Sequence, residues 1–195
     1  DFIINTILTP ELKLCRVVAG DYIKAHREGV RIGRTILGSK VTEKADVVIV
    51  SSHPADQDFW QSPKAMYGAE PALKGDRGGT IIMISPNHEG IGPHPEYPEY
   101  MSRDDGDDIV RACIAGEEIP GDRLAIAVGN SMSKMRRRRK LVVVGGGVTA
   151  EQMAQCGCKY YPLSALQQAV DDAVAEYEDC RVAAMSGGAD AFLYE

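Results

Sequence analysis

The sequence predicts an α/β fold: a mainly parallel sheet with helices on both faces, preceded by an N-terminal β-hairpin. Short unbroken apolar runs recur at Val47–Val50, Thr80–Ile84 and Leu141–Val144, the pattern of strands buried on both faces. A polar or glycine-bearing crossover follows each run, and then a segment with helical spacing, so strands and helices alternate. Strands that return through a helix are parallel and right-handed in their crossovers.

At the start, Phe2–Leu8 and Leu12–Val18 read as two strands around the turn Thr9-Pro10-Glu11. Gly20-Asp21 caps a helix to about Leu37, where Gly38 ends it, and Tyr22, Ile23, Ala25, Val30 and Ile36 give it an apolar face. His26 lies on this helix as a surface or packing residue. After Val47–Val50 come Ser51, Ser52, His53, Pro54 and Asp56. Open α/β sheets hold ligands beyond the carboxyl ends of their strands, and Trp60, Gln61 and Lys64 fall there. Ser62 reads as an N-cap and Pro63 as the first helical residue. That places Lys64 in the first turn, beside unpaired backbone N–H groups, as an anion pocket in which the Gln61 amide orients a carboxylate or hydroxyl. The residues alone also allow a solvated Lys64 with Trp60 as a core or interface anchor, since helix starts of this kind are common.

Ser85–Gly92 follows the Thr80–Ile84 strand and falls on the same rim, making Asn87, His88 and Glu89 site-lining candidates, or part of a loop that merely turns. Pro93–Tyr100 is proline-rich and reads as an extended lid or contact segment. Asp104-Asp105-Gly106-Asp107-Asp108 lacks the spacing and closing glutamate of a calcium loop, and its acids cap a helix over Ile109–Ala115. Ile119-Pro120-Gly121-Asp122 introduces a helix carrying Leu124, Ile126, Val128, Met132 and Met135. It ends in Arg136–Lys140, cations at a helix C-terminus rather than a nucleic-acid patch. Gly145-Gly146-Gly147 lacks the third glycine and the distal acid of a dinucleotide fingerprint, and leads into a short helix to Gln155. Lys159–Tyr161 is a strand, Ser164–Tyr177 a helix, Arg181–Met185 a strand, and a turn over 186–190 precedes Phe192-Leu193-Tyr194.

A chain of 195 residues makes one domain, or a domain with an appendage. A net charge of −6 argues against a general nucleic-acid binder, and no apolar run reaches membrane-spanning length. Without a signal peptide, and with five scattered cysteines (Cys15, Cys113, Cys156, Cys158, Cys180), the expectation is a reducing, cytoplasmic compartment with no disulfide framework. Cys156-Gly157-Cys158 has no second pair at zinc spacing, so no metal site is expected. The chain opens at Asp1 directly into an apolar strand and reads as a piece of a longer protein.

A set of landmarks then recurs in order. They are Asp1-Phe2-Ile3-Ile4-Asn5, Ala19-Gly20-Asp21 with His26-Arg27, Ala45-Asp46 before the first buried strand, and Pro54 with Asp56. Next come Trp60-Gln61-Ser62-Pro63-Lys64, Gly78-Gly79-Thr80, Glu89-Gly90 with Gly92, and Ile119-Pro120 with Asp122. Over most of its length the chain thereby resembles the C-terminal domain of the nickel-dependent lactate racemase (LarA-like) family of 2-hydroxyacid racemases and epimerases. That resemblance implies a single α/β domain over 1–195, the C-terminal half of a two-domain enzyme whose N-terminal domain is absent here. It implies an isomerase in which a nickel-pincer nucleotide (a pyridinium bisthiocarboxylic acid mononucleotide carrying nickel), anchored mainly by the N-terminal domain, takes hydride from the α-carbon and returns it. Carried over residue by residue, it makes Lys64 and Gln61 catalytic, with Trp60 and Ser62 lining the substrate pocket; His53, Asn87, His88 and Leu124 complete the candidate substrate-binding set. The partners expected are a small 2-hydroxyacid and the N-terminal domain of the same protein, with no nucleic acid and no membrane; homo-oligomerisation stays open. The isolated fragment is expected to be inactive. Trp60 stands where the lactate enzyme has tyrosine, Leu124 where it has a tryptophan against the cofactor, and His53 in place of a glycine-tyrosine pair. Those departures imply a 2-hydroxyacid other than lactate. The residues also allow a noncatalytic ligand-binding or oligomerisation module on the same fold, and a freestanding nucleotide-binding domain.

Overall fold

A computed structural model of the chain describes residues 1–194 and shows two compact units, Asp1–Thr42 together with the residues from Ala191, and Glu43–Asp190. In the first, β1 (Phe2–Leu8) and β2 (Leu14–Asp21) pair antiparallel as the expected hairpin, Phe2 opposite Asp21, with a register shift between Ile7 and Leu8. Helix α1 (Tyr22–Leu37) starts where the sequence places it, because the Asp21 carboxylate accepts the Lys24 N–H at 3.1 Å. Gly38 does more than end that helix. It opens β3 (Gly38–Lys40), which pairs in parallel with the last strand, Phe192–Tyr194. A Cβ on Gly38 would lie 2.4 Å from the Arg34 carbonyl and 2.8 Å from the Tyr194 ring, so only glycine fits. The hairpin register puts Phe2, Ile4 and Val17 on one face, and all three are exposed.

The second unit holds a five-stranded, all-parallel sheet. Its strands are β4 (Val47–Ser51), β5 (Thr80–Ser85), β6 (Lys140–Gly145), β7 (Lys159–Pro162) and β8 (Val182–Met185), in the order β7-β6-β5-β4-β8. Val48, Val50, Ile81, Met83 and Val143 are fully buried on one face, where α2 (Lys64–Ala69) packs against β4 and β5. On that side α3 (Tyr97–Ser102) and α4 (Gly106–Ile114) pack on α5 (Arg123–Arg136), and α3 also meets α6 (Ala150–Gln155). On the other face Val47, Ile82, Val142 and Val144 meet Ala169 and Ala173 of α7 (Leu166–Val174). Apolar side chains at alternate positions thus fill both faces, the reason these strands read as continuous apolar runs.

Two local expectations need correction. Residues 93–100 are not an extended lid: Tyr97–Ser102 is helical, since Pro98 sits in the first turn, where its missing N–H costs nothing, and Tyr97, Tyr100 and Met101 are buried. The basic run is neither patch nor simple helix end. Arg136 donates to the Met101 and Ser102 carbonyls, Arg137 to the Asp104 carbonyl, Arg138 and Arg139 pair with Glu70, and Lys140 pairs with Glu176. The glycines after β6 exist for close approach: Gly147 has φ +70°, and a Cβ there would fall 1.7 Å from the Asn87 carbonyl oxygen. Among the described residues no helix is long and apolar enough to cross a membrane.

Candidate functional site

Beyond β4 the chain passes through a cis His53–Pro54 bond into a tight turn that delivers Trp60, Gln61 and Lys64 to one place. Asp58 organises the turn. Its buried carboxylate accepts the Gln61 N–H at 2.8 Å, and its carbonyl accepts the Ser62 N–H at 3.0 Å. The Lys64, Ala65 and Met66 N–H groups go to the carbonyls of Gln61, Ser62 and Pro63 at 3.1, 3.0 and 2.9 Å. This corrects the anion pocket read from the sequence: the backbone donors at the helix start are already used, Ser62 provides no side-chain cap, and Pro63 is the cap residue. Positive charge at this site comes from the Lys64 ammonium instead. Its Nζ donates to the Gln61 Oε1 at 2.5 Å, and among the described residues it has no acidic partner.

These residues open onto a cavity of about 430 Å³. Trp60, Gln61, Pro63 and Lys64 line it from the turn, Tyr67 from α2, Tyr97 from α3, and Ala127, Val128, Ser131 and Met132 from α5. The α5 residues share a face because they lie three and four apart. Tyr67 donates to the Ser131 Oγ at 2.8 Å, bridging α2 and α5, and burial raises its phenol pKa. Trp60 is held by Tyr97 edge-on, ring centroids 5.1 Å apart, and by the His94 imidazole at 4.0 Å. His94 Nδ1 in turn contacts the Asp122 carboxylate, which lies below the usual carboxylate range chiefly because of that hydrogen bond. One ammonium, one carboxamide and a phenol–hydroxyl pair beside apolar and aromatic walls suit a small organic acid.

Of the residues expected in the site, Trp60, Gln61 and Lys64 are brought together. Ser62 is fully buried behind them, its Oγ without a partner, and it does not line the cavity. Asn87 is also fully buried, with φ +42°, its Oδ1 accepting from the Ser85 Oγ at 2.7 Å and its N–H donating to the Asp56 carbonyl. His53 and His88 are exposed away from the cavity wall, and His53 Nδ1 lies 3.5 Å from Asp56. Leu124 is exposed on α5 one turn before Ala127 and Val128, on their side of the helix but outside the wall. Sequence reasoning missed Tyr67, His94, Tyr97 and Ser131. Tyr67 was reachable, three residues past Lys64 on one helix; the others arrive through tertiary packing.

Two other concavities carry less chemistry. One, of about 330 Å³ between the starts of β6 and β7 and α7, has its cations already paired, Lys140 with Glu176 and Lys159 with Asp172 in the same wall, and Arg136 with Asp104 and Arg139 with Glu70 outside it. The other, between α4 and α5, is lined mainly by apolar residues such as Val110, Ile114 and Ile126. Among the described residues no group of three His, Cys, Asp or Glu could hold a metal ion.

Comparison with known proteins bears on the family and the fold. The family model described as the lactate racemase C-terminal domain matches residues 41–189, close to the bounds of the second unit. The lactate racemase of Lactiplantibacillus plantarum is 32% identical over 115 residues, 58% of this chain and 26% of that protein. The lactate racemase of Thermoanaerobacterium thermosaccharolyticum is 30% identical over 116 residues, with the same coverage. The matched stretch therefore spans about a quarter of these relatives. In fold, the chain matches the lactate racemase apoprotein of T. thermosaccharolyticum with a TM-score of 0.75 at 23% identity, covering 100% of this chain and 46% of that one. A Thermotoga maritima protein shares the fold at a TM-score of 0.58 and 10% identity, covering 99% and 48%.

Proposed function

This chain belongs to the lactate racemase C-terminal domain family, and from that premise we propose that it is the substrate-binding part of a 2-hydroxyacid racemase or epimerase. The observation that carries the proposal is the Lys64–Gln61 pair at the cavity mouth, an ammonium whose hydrogen-bond partner is a neutral carboxamide. A positive charge so placed is complemented by a carboxylate, and charge-assisted bonds of this kind are the strong ones. With the acid on Lys64, the Gln61 amide is free to hold the α-hydroxyl, fixing which faces of the α-carbon are presented. Trp60, where the resemblance has tyrosine, gives the substrate's side group a different, apolar wall, favouring a 2-hydroxyacid other than lactate.

An unactivated 2-hydroxyacid has no acidic α-proton, so inversion calls for hydride chemistry, which the resemblance assigns to a nickel-pincer nucleotide. The described residues of this chain do not fit as the holder of that metal, for want of a ligand cluster. Holding it falls to the additional polypeptide that the longer relatives possess. The open apolar face of Phe2, Ile4 and Val17 is a suitable seat for that polypeptide. What this chain does is bind, orient and shield.

In the complete protein, Lys64→Ala is expected to lower kcat/KM for 2-hydroxyacid racemisation by ~10²-fold or more, because the substrate's carboxylate loses its charged partner. Racemisation kinetics unchanged by Lys64→Ala would reject the role of this site, and with it the distinction from a noncatalytic binding module.

A further inference from the structure

The Trp60 wall of the cavity is not self-supporting. Its Cβ lies against the Gly92 backbone, where an added Cβ would come within 2.9 Å, its ring edge meets Tyr97, and its face meets the His94 imidazole at 4.0 Å with the planes 40° apart. All three contacts come from one short segment, residues 92–97. That segment is clasped to the start of α5. His94 Nδ1 contacts the Asp122 carboxylate, the Glu96 carboxylate accepts the Asp122 N–H at 2.8 Å, and the Tyr100 hydroxyl donates to the Pro120 carbonyl at 3.4 Å. The other Asp122 oxygen caps α5, accepting the N–H groups of Leu124 and Ala125 at 2.8 and 3.3 Å. One carboxylate therefore touches both the helix that lines the cavity and the imidazole against the indole that also lines it.

We propose that His94 is a positioning residue of the cavity: gripped at Nδ1 by Asp122, its ring fixes the Trp60 indole and sets the spacing between the Trp60–Lys64 turn and α5. A histidine that only filled space would need neither an anchored nitrogen nor a ring partner. Here the two demands, a flat face and a hydrogen bond to an acid at a set angle, select imidazole over phenylalanine or asparagine, each of which meets one of them. Because the carboxylate faces Nδ1, that nitrogen carries the proton. The consequence for function rests on the substrate-binding reading above, since the spacing matters only if the cavity holds a ligand; the positioning itself does not.

Trp60 is the sole tryptophan of the chain, so its near-ultraviolet circular dichroism and its quenching by acrylamide report this one contact. In the 195-residue chain, His94→Ala should abolish the tryptophan fine structure and increase acrylamide quenching. Asp122→Ala, which touches Trp60 nowhere, should do the same, and the double variant should be no worse than His94→Ala, since coupled residues are non-additive. Asp122→Asn, which keeps both the cap and an acceptor for Nδ1, should restore most of the wild-type spectrum. A Trp60 spectrum unmoved by His94→Ala, or effects of the two alanine variants that sum in full, would overturn the proposal. If far-ultraviolet circular dichroism shows His94→Ala unfolded, His94→Asn, which keeps the anchor and removes the ring, is read against the same outcomes. Racemisation of a panel of 2-hydroxyacids by the complete protein with and without Lys64→Ala is a separate arm: equal rates there count against the substrate reading and leave the spectroscopic test of His94 untouched.

Discussion

Replacing Arg139 by methionine tests whether the basic run serves the fold or the surface. The guanidinium is only 5% exposed, and it donates to the Gly78 carbonyl at 2.7 Å, the Gly75 carbonyl at 2.8 Å, the Lys74 carbonyl at 3.3 Å and Glu70 at 3.2 Å. It therefore ties down the loop that leaves α2. Methionine preserves the length of the stem and removes all four bonds. Hydrogen bonds to a charged group contribute about 1.5–3 kcal/mol each, non-additively, so a loss of about 3–4 kcal/mol is expected. With a urea m-value of about 2 kcal/mol/M, the unfolding midpoint should fall by about 1.5–2 M. Arg138→Met is the internal control. Its side chain is 41% exposed and its pair with the same Glu70 is a surface one, for which about 0–1 kcal/mol, or at most about 0.5 M, is expected. Trp60 emission follows the unfolding of this unit. Equal shifts for the two variants would refute the internal-staple account and return the run to a solvated basic surface.

Two further measurements follow. Asp172, whose carboxylate accepts from the Tyr161 hydroxyl at 2.5 Å, Gln168 at 2.7 Å and Lys159 at 3.0 Å, has its pKa held down to about 2, chiefly by the tyrosine. A folded-state pKa below the unfolded one, about 3.9, contributes stability that is complete above that value and is lost as pH falls toward 2. Urea midpoints measured from pH 5 down to pH 2 should thus fall less steeply for Asp172→Asn than for wild type; parallel curves would contradict the assignment. Burial pushes the Cys156 thiol up to about 12 and raises Cys158 as well, whereas Cys113 is exposed. A thiol reagent at pH 8 should label Cys113 promptly and reach Cys156 and Cys158 only as urea unfolds the chain; five thiols reacting at one fast rate would contradict their burial.

What could be read from the sequence was what local chemistry decides. The strands β4, β5 and β6 announce themselves because both faces are apolar, and the Asp21 cap is a local side-chain-to-backbone bond. Trp60, Gln61 and Lys64 could be placed together because they follow a buried strand within one turn. Ser62 misled because a serine before a proline has the chemistry of an N-cap, whereas here Asp58, four residues earlier, has taken over the turn. The segment from Pro93 misled for a different reason: three prolines outweigh helical propensity until Tyr97, Tyr100 and Met101 are buried by distant helices. No window of residues reveals that the last strand pairs with β3, or that His94 meets Trp60 and Asp122, 34 and 28 positions away. Long-range contacts between short elements leave no periodicity to find.

The placement of Lys64 bears on how a binding site can be separated from the chemistry it serves. Its ammonium is exposed in this chain, and two unit charges 4 Å apart in bulk water attract by only about 1 kcal/mol. At the effective dielectric near a covered protein surface the same pair is worth about 4 kcal/mol. The difference, about 3 kcal/mol, corresponds to somewhat more than 10²-fold in an equilibrium constant, and it is gained only when something excludes water from the cavity mouth. A weak grip on a carboxylate by this chain and a large kinetic penalty for Lys64→Ala in the complete protein are therefore one expectation rather than two. Binding of 2-hydroxyacids to the 195-residue chain and their racemisation by the complete protein measure its two limits. If Lys64→Ala changed both by the same small factor, the ammonium would be solvated in both settings, and another residue would have to hold the acid.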